Sequence, residues 1–303
     1  MKILVTGGLG VVGTHLVREL RRRQNDVWFS GIAHHADPQY FRCDVSEYRQ
    51  LERIFDKQKF DFVYHLAAEF GRWNGEDFYE TLWKSNVIGT KHMIRLQEKH
   101  RFRMVFFSSS EVYGDFDGMM TEDVMDKHEI KQLNDYAMTK WVGEMQIMNS
   151  TQMFGTETVR VRLFNLYGPG EPYSVYRSAL CRFIYSALFD LPFTVYGDHT
   201  RSWMYIDDAI AALSSIATNF KPGEVYNIAS AQDISMKDLA EMILRLCARG
   251  DARVTYKHEE GMTTHHKHVD ASKAKRDLGL EPRIPMEEGL RRTVAWMREA
   301  YKP

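Results

Sequence analysis

A tyrosine and a lysine stand four residues apart in Tyr136-Ala-Met-Thr-Lys140, within a stretch from about Asn134 to Gln152 whose spacing predicts a helix. At that spacing both side chains leave the same face. A phenol beside an ammonium is a proton-transfer pair. The positive charge favours the phenolate and is expected to bring the tyrosine down from its usual pKa near 10, toward a base usable around neutrality. Upstream lies Phe107-Ser-Ser-Ser-Glu-Val-Tyr-Gly114, where Ser109, Ser110 and Glu111 leave the end of an apolar segment and can face a substrate. Each piece also has a plainer reading. Tyr136 and Lys140 suit a solvated helix face, serines leaving a strand are common turn formers, and Glu111 suits a surface carboxylate.

The elements that must position these groups begin at Met1 to Leu20, reading MKILVTGGLGVVGTHLVREL. Ile3, Leu4 and Val5 are a continuous apolar run suited to a strand buried on both faces, and Val12, Leu16 and Leu20 recur at helical spacing. Between them fall Gly7, Gly10 and Gly13. In the order strand, turn, helix, the first glycine permits a tight turn and the second lets backbone amides approach a pyrophosphate. The third lets helix and strand pack closely, so phosphates meet the positive end of the helix dipole. Gly7, Gly10, Val11, Val12 and Gly13 are therefore candidate cofactor contacts.

Bulk properties narrow the function classes. The chain has 303 residues, a formal net charge of −1 and 44% hydrophobic residues, enough for a large core and a second smaller domain. No block of like charge supports a nucleic-acid or membrane partner. Cys43, Cys181 and Cys247 are scattered without metal-ligand spacing, so structural thiols in a reducing cytoplasm are expected, with no metal site. Met1 leads straight into the first strand, and no targeting segment is expected. No apolar run approaches the roughly 18 residues needed to cross a bilayer.

Strand segments are expected at Asp26 to Ile32, Tyr40 to Val45, Phe60 to Ala68, Arg103 to Ser108 and Glu157 to Leu163. The intervening helices include one capped by Ser46 and a long one from about Asp77 to Lys99. Strands alternating with helices imply an α/β Rossmann-type fold, a doubly wound parallel sheet with right-handed crossovers. Beyond Phe164 the rhythm changes to shorter strands and helices. Residues 1–163 are read as the dinucleotide-binding domain and 164–303 as a smaller mixed α/β substrate domain, some of whose segments return to the first. The second half is expected to close over the carboxyl ends of the sheet.

The glycine spacing, His65-Leu-Ala-Ala68, Asn86-Val-Ile-Gly-Thr90, SSSEVYG, YAMTK and Arg162-Leu-Phe-Asn-Leu-Tyr-Gly-Pro-Gly170 together resemble the extended short-chain dehydrogenases/reductases that modify nucleotide sugars. Arg201-Ser-Trp-Met-Tyr-Ile-Asp-Asp208 and Asp270-Ala-Ser-Lys-Ala274 extend the resemblance over nearly the whole chain. It implies that Tyr136 deprotonates a sugar hydroxyl at carbon 4 while a hydride passes to a tightly bound, recycled NAD or NADP, leaving a 4-keto sugar. Lys140 would hold the nicotinamide ribose, and Ser109 would bond the same sugar hydroxyl. Leu66, Ala67, Ala68 and Asn86 would line the cofactor, Asp44 with Val45 would meet the adenine edge, and Asn165 and Arg201 would contact the nucleotide diphosphate.

Glu111 separates the possible reactions, because a 4-keto group acidifies the carbon-5 proton and a placed carboxylate can take it. Simple 4-epimerases similar to this chain usually lack a glutamate there. Ser110-Glu111 resembles the pair in GDP-mannose 4,6-dehydratases and UDP-glucuronate decarboxylases rather than the Asp-Glu of common nucleoside-diphosphate-glucose dehydratases. Dehydratase or decarboxylase chemistry is the preferred expectation, with 4-epimerisation as the alternative and a non-catalytic dinucleotide sensor as the rival of another class.

Three features depart from the family pattern. The turn after the second strand offers Ser30, Gly31, Ile32, Ala33, His34 and His35 in place of an acidic residue, so NADP stays open with His34 as a cofactor contact. His265, His266, Lys267 and His268 stand where relatives usually carry an arginine; His266 is assigned to the substrate side and a metal role is set aside. The loop Glu69-Phe-Gly-Arg-Trp-Asn-Gly75 matches no reaction-specific signature; Arg72 can meet a carboxylate or phosphate, while Trp73 suits a plug onto the core. Finally, Met138, Trp141, Met145 and Met148 lie opposite Tyr136 on the predicted helix, which suits a homodimer as well as an internal packing face.

Overall fold

The computed structural model describes residues 1–251 and 253–302. Seven strands form the main sheet: β1 (Lys2–Thr6), β2 (Asp26–Gly31), β3 (Tyr40–Arg42), β4 (Phe62–His65), β5 (Arg103–Ser109), β6 (Thr158–Leu163) and β10 (Val225–Ile228). Their spatial order is β10-β6-β5-β4-β1-β2-β3, and every pairing from β3 across to β6 is parallel. Starting at β1 the chain winds one way through β2 and β3 and the other way through β4, β5 and β6. The reversal opens a crevice between the carboxyl ends of β1 and β4, the place where such sheets take ligands.

Continuous apolar runs explain why this sheet is interior. Ile3, Leu4, Val5, Phe62, Val63, Met104 and Val105 are wholly buried, and a core of Leu4, Leu51, Ile54, Phe55, Met93, Phe106 and Ile147 fills one face beneath the crossover helices. Those helices are α1 (Val11–Arg22), α2 (Tyr48–Lys57), α5 (Gly89–His100) and α7 (Asp135–Phe154).

Several local expectations change. The long helix expected from about Asp77 to Lys99 is three pieces, α4 (Tyr79–Trp83), a π-helical turn at Lys84–Ile88 and α5, preceded by a short α3 (Arg72–Asp77). Phe78 causes the first break, since its φ of −128° and ψ of 44° are not helical. Ser46 does not cap α2. Glu47 occupies the cap position, and the Ser46 hydroxyl turns back to donate to Asp44 Oδ1 at 2.8 Å.

By internal contacts the chain divides into two units, the first made of Met1–Val112, Asn134–Leu163 and Ile210–Tyr226 and the second of Tyr113–Leu133, Phe164–Ala209 and the chain from Asn227 onward. The second unit contains β7 (Asn165–Tyr167), β9 (Thr200–Tyr205) and β11 (Asp233–Ser235) in one small sheet, ordered β11-β9-β7, and β8 (Phe193–Tyr196) paired in parallel with β12 (Val254–Lys257) in another. Among the described residues no helix is long and apolar enough to cross a membrane, and no group of three or more His, Cys, Asp or Glu is placed to hold a metal ion. All three cysteines are free and buried, and burial pushes their thiols up, away from the reactive thiolate.

Candidate active site

The turn from β1 into α1 is held tight by its glycines. Gly7 has φ of +70°, which a side chain would resist, and the Gly10 amide donates to the Gly7 carbonyl at 3.0 Å. A Cβ on Gly13 would stand 2.2 Å from the Gly7 oxygen, and one on Gly7 would stand 2.8 Å from the Ala67 nitrogen. Helix, turn and the β4 exit thus touch only because glycine fills these positions. Gly10 caps α1 without any side-chain hydrogen bond, and its first turn, beginning Val11-Val12, holds no acid. Backbone amides at the positive helix end are left for an anion, which fits a dinucleotide pyrophosphate.

Leu66, Ala67 and Ala68 line the other lip. The Leu66 amide donates to the Thr6 carbonyl at 3.2 Å and that of Ala67 to the Thr6 hydroxyl at 3.2 Å. Behind them His65 is buried between the hydroxyls of Thr6 (2.8 Å) and Thr90 (3.4 Å), and burial pushes its ring down to about 3, so it stays neutral. Asp44 Oδ1 accepts from the Ser46 amide at 2.9 Å. The Val45 side chain packs against Gly89, and its carbonyl lies 3.1 Å from His92 Nδ1. His34 is exposed, with Nε2 2.9 Å from an Arg42 Nη1 that the sequence reading passed over.

Asn86, expected against the cofactor, acts as a clamp between protein segments. It lies in the π-helical turn, its Oδ1 accepts from the Glu69 amide at 2.8 Å, and its Nδ2 donates to the Glu69 carbonyl at 3.1 Å and to Thr139 Oγ1 at 3.0 Å. The loop after β4 is thereby tied to α7. Arg72 opens α3 directly after Gly71, whose φ is +84°. Gly75 in α3 approaches Tyr136 so closely that a Cβ on it would lie 3.5 Å from the tyrosine Cβ. Trp73 is 45% exposed and therefore does not plug the loop onto the core.

Helix α7 grips the end of β5 residue by residue. Tyr136 and Ser109 share a side-chain hydrogen bond, Lys140 Nζ donates to the Phe107 carbonyl at 2.9 Å, and Ser108 Oγ donates to Glu144 Oε1 at 2.6 Å. These helix residues follow at four-residue intervals, so one face of α7 addresses three consecutive strand residues. Asn134 caps the helix by accepting from the Ala137 amide at 2.8 Å, and its Nδ2 lies 3.5 Å from Glu111 Oε2. Ser110 and Glu111 begin a 3₁₀ turn at Ser110–Tyr113, and the Glu111 amide donates to Ser109 Oγ at 3.2 Å.

Ser108 points away from Ser109, because successive strand residues face opposite ways, and is held by Glu144. One expectation fails here for a physical reason: Lys140 does not bring the phenol down. Burial pushes Tyr136 up to about 12, with the Glu111 charge adding to that and the Ser109 hydrogen bond opposing it. Lys140 Nζ sits 5.8 Å from the Tyr136 ring centroid and donates its hydrogen bond to the Phe107 carbonyl instead. Burial in turn brings Lys140 down to about 8. In the protein alone Tyr136 is a neutral phenol beside an easily discharged amine.

Sequence reading also missed Glu144. It is wholly buried and bound by Arg162 through Nε at 3.0 Å and Nη2 at 2.9 Å, with Arg160 Nη1 at 3.3 Å. A signal was present: Arg160 and Arg162 alternate on one strand face, which demands a buried anion opposite.

In the second unit, Asn165 Nδ2 donates to the Ser202 carbonyl at 3.3 Å. Arg201, expected on the diphosphate, is 7% exposed and spends its terminal N–H groups on protein: Nη1 on the carbonyls of Thr200 and His265, Nη2 on the Thr264 carbonyl and Thr263 hydroxyl. It holds the segment that carries His266, whose Nδ1 lies 3.0 Å from Thr200 Oγ1.

A doubly wound sheet with an uncapped glycine turn, and a serine, tyrosine and lysine gathered at one helix beside it, defines a dinucleotide-dependent enzyme of the short-chain dehydrogenase/reductase class. Residues 3–229 match the model of the NAD dependent epimerase/dehydratase family, and the chain belongs to that family. It is 31% identical to UDP-glucuronic acid decarboxylase 1 of Arabidopsis thaliana over 98% of this chain and 70% of that protein. It is 28% identical to a dTDP-glucose 4,6-dehydratase of Neisseria meningitidis over 97% and 92%. Among solved structures it resembles the UDP-glucose 4-epimerase of Thermotoga maritima, determined with UDP-glucose, at a TM-score of 0.89 and 25% identity over the whole of both chains.

Proposed function

We propose that the protein oxidises a nucleotide sugar transiently at carbon 4 and then carries out carbon-5 or carbon-6 chemistry, dehydration or decarboxylation. Gly7, Gly10, Val11, Val12, Gly13, Leu66, Ala67 and Ala68 would seat the dinucleotide, with Asp44 and Val45 at its adenine. A bound nicotinamide supplies the two-electron acceptor. Tyr136 holds and takes the carbon-4 hydroxyl proton, Ser109 hydrogen-bonds the same hydroxyl, and Lys140 supplies the charge that helps the phenol ionise once the site is filled. Ser110 and Glu111 face carbon 5. In dehydration the carboxylate takes the proton that a carbon-4 carbonyl has made acidic while the carbon-6 hydroxyl departs as water; in decarboxylation carbon dioxide leaves instead and the protonated carboxyl group returns a proton to carbon 5. Arg72 is proposed to meet an anionic group of the sugar. Within the second unit Asn165 and His266 are proposed as diphosphate contacts, with Arg201 holding the latter's segment. Exposed Met138, Met145 and Met148 on α7 suit a homodimer, and free buried thiols suit a cytoplasmic setting.

The observation that carries this reading is the placement of the Glu111 carboxylate, close enough to Tyr136 to raise its pKa and within reach of Asn134. An epimerase that only removes and returns hydrogen at carbon 4 needs no second carboxylate there. A module that merely sensed dinucleotide would gain nothing from Ser109 and Tyr136 hydrogen-bonded to each other one helical turn from the buried Lys140. The test is turnover of UDP-glucuronate and other nucleotide sugars in heavy water. Wild-type protein should place solvent deuterium at carbon 5, by exchange in dehydration or by uptake after loss of carbon dioxide, and Glu111→Gln should lose that incorporation by about 10²-fold or more while still oxidising carbon 4. Inversion at carbon 4 without exchange would place the chain on the epimerase branch.

A further inference from the structure

The carboxyl end of the second strand decides which dinucleotide a fold of this strand order accepts. The 2′ position of the adenosine ribose falls there, where a carboxylate binds the free hydroxyl and repels a phosphate, and an arginine does the reverse. In this chain β2 ends at Gly31, and the next carboxylate is Asp37. That acid is already committed. Its two oxygens accept from Arg21 at 2.7 and 3.1 Å, and it also takes the Gln39 amide at 2.8 Å.

No arginine follows β2 in sequence, but the sheet brings one alongside. The β2–β3 register sets Arg42 opposite Gly31. From there Arg42 Nε donates to the Ile32 carbonyl at 2.9 Å, which fixes the guanidinium against the turn, and Nη1 lies 2.9 Å from His34 Nε2. Both side chains are exposed. A planar fork and an imidazole thus share one small patch beside the glycine turn: with Arg42 Nη1 donating to His34 Nε2, the Nη2 side of the guanidinium and the Nδ1–H of the imidazole are the donors turned to a tetrahedral dianion.

Packing does not explain why the acid is missing. The nearest atoms to a Cβ on Gly31 would be Tyr40 Oη at 3.4 Å, Leu9 Cδ1 at 3.5 Å and Leu9 Cγ at 3.6 Å, ordinary contacts, so a side chain can begin there. The position is open to a carboxylate and carries none, while the neighbouring strand carries a guanidinium.

We propose that the protein takes the 2′-phosphorylated dinucleotide, NADP, with Arg42 as the principal phosphate ligand and His34 as the second donor. This rests on the dinucleotide reading of the glycine turn. The test is calorimetric titration of the nucleotide-stripped full chain with NAD and NADP separately, a readout independent of turnover. NADP should bind at least about tenfold more tightly than NAD. Arg42→Gln should weaken NADP about tenfold and leave NAD within about twofold, His34→Asn should do the same to a lesser degree, and Gly31→Asp should reverse the preference. Tighter binding of NAD by the wild type, or equal weakening of both nucleotides in Arg42→Gln, would overturn the proposal. Binding of neither nucleotide would overturn the dinucleotide reading itself, and this one with it.

Discussion

Replacing Glu144 by glutamine keeps the volume of the side chain and removes its charge. Burial alone would raise this carboxyl, but the Arg162 charge and hydrogen bonds, with Arg160 and Ser108, outweigh burial and hold it below its ordinary 4.5. The variant takes from Arg162, 1% exposed, the charged carboxylate that its Nε and Nη2 hold. Breaking a buried ion pair from one side costs about 3–5 kcal/mol, and glutamine's remaining acceptor puts this case near 3 kcal/mol. Unfolding entropy of about 2.1 cal/mol/K per residue gives roughly 0.6 kcal/mol/K for a chain of 303 residues, so the melting point should fall by about 5 °C. The double variant Glu144→Leu with Arg162→Met removes both charges and should recover most of that loss. Because the folded carboxyl titrates below 4.5, the ion pair contributes fully above that pH and is lost as pH falls through the folded value, so the gap between wild type and Glu144→Gln should close in acid. Urea unfolding followed by circular dichroism across that range is the assay. A cost below about 1 kcal/mol at neutral pH, or a double variant less stable than Glu144→Gln, would refute the view of Glu144 as the buried anion that two arginines require.

Lys140→Met should make the protein more stable at neutral pH while abolishing turnover. The folded ammonium titrates near 8 against an ordinary 10.5, so its burial penalty is present below about pH 8 and relieved as pH rises toward 10.5. The gain, about 2–3 kcal/mol near pH 7 after allowing for the lost bond to the Phe107 carbonyl, should vanish by the upper end of that window in urea titrations at several pH values. For the proposed homodimer, light scattering should give twice the chain mass for the wild type. Arg or Glu at Met145, which is 42% exposed, should give the monomer mass with the fold intact.

Much of the glycine turn and its flanking strand and helix was legible because the signals are local. A strand, three glycines and a helix within about twenty residues leave few alternative conformations. The tyrosine, lysine and serine came together as expected for a similar reason, since helix periodicity and the end of one apolar strand fix where they point. What escaped were effects of the surroundings rather than of spacing. The Tyr136 pKa depends on desolvation that no spacing reports, and Glu144 escaped because its partners Ser108, Arg160 and Arg162 lie on other elements. Arg42 was hidden because only strand register puts it beside the turn after β2. The break at Phe78 and the π-helical turn at Lys84–Ile88 were missed since the helical spacing of apolar residues continues across both.

The central claim, a reversible oxidation at carbon 4 carried by Tyr136 and Ser109, is tested most directly by trapping. Cofactor-loaded protein is mixed with nucleotide sugar, quenched within the first turnovers in borodeuteride, and the recovered sugar is examined for deuterium at carbon 4. Wild-type protein should place label there, and Tyr136→Phe should place at least about 10²-fold less. Turnover of the sugar without label at carbon 4 at any quench time, or equal labelling by Tyr136→Phe, would contradict the account.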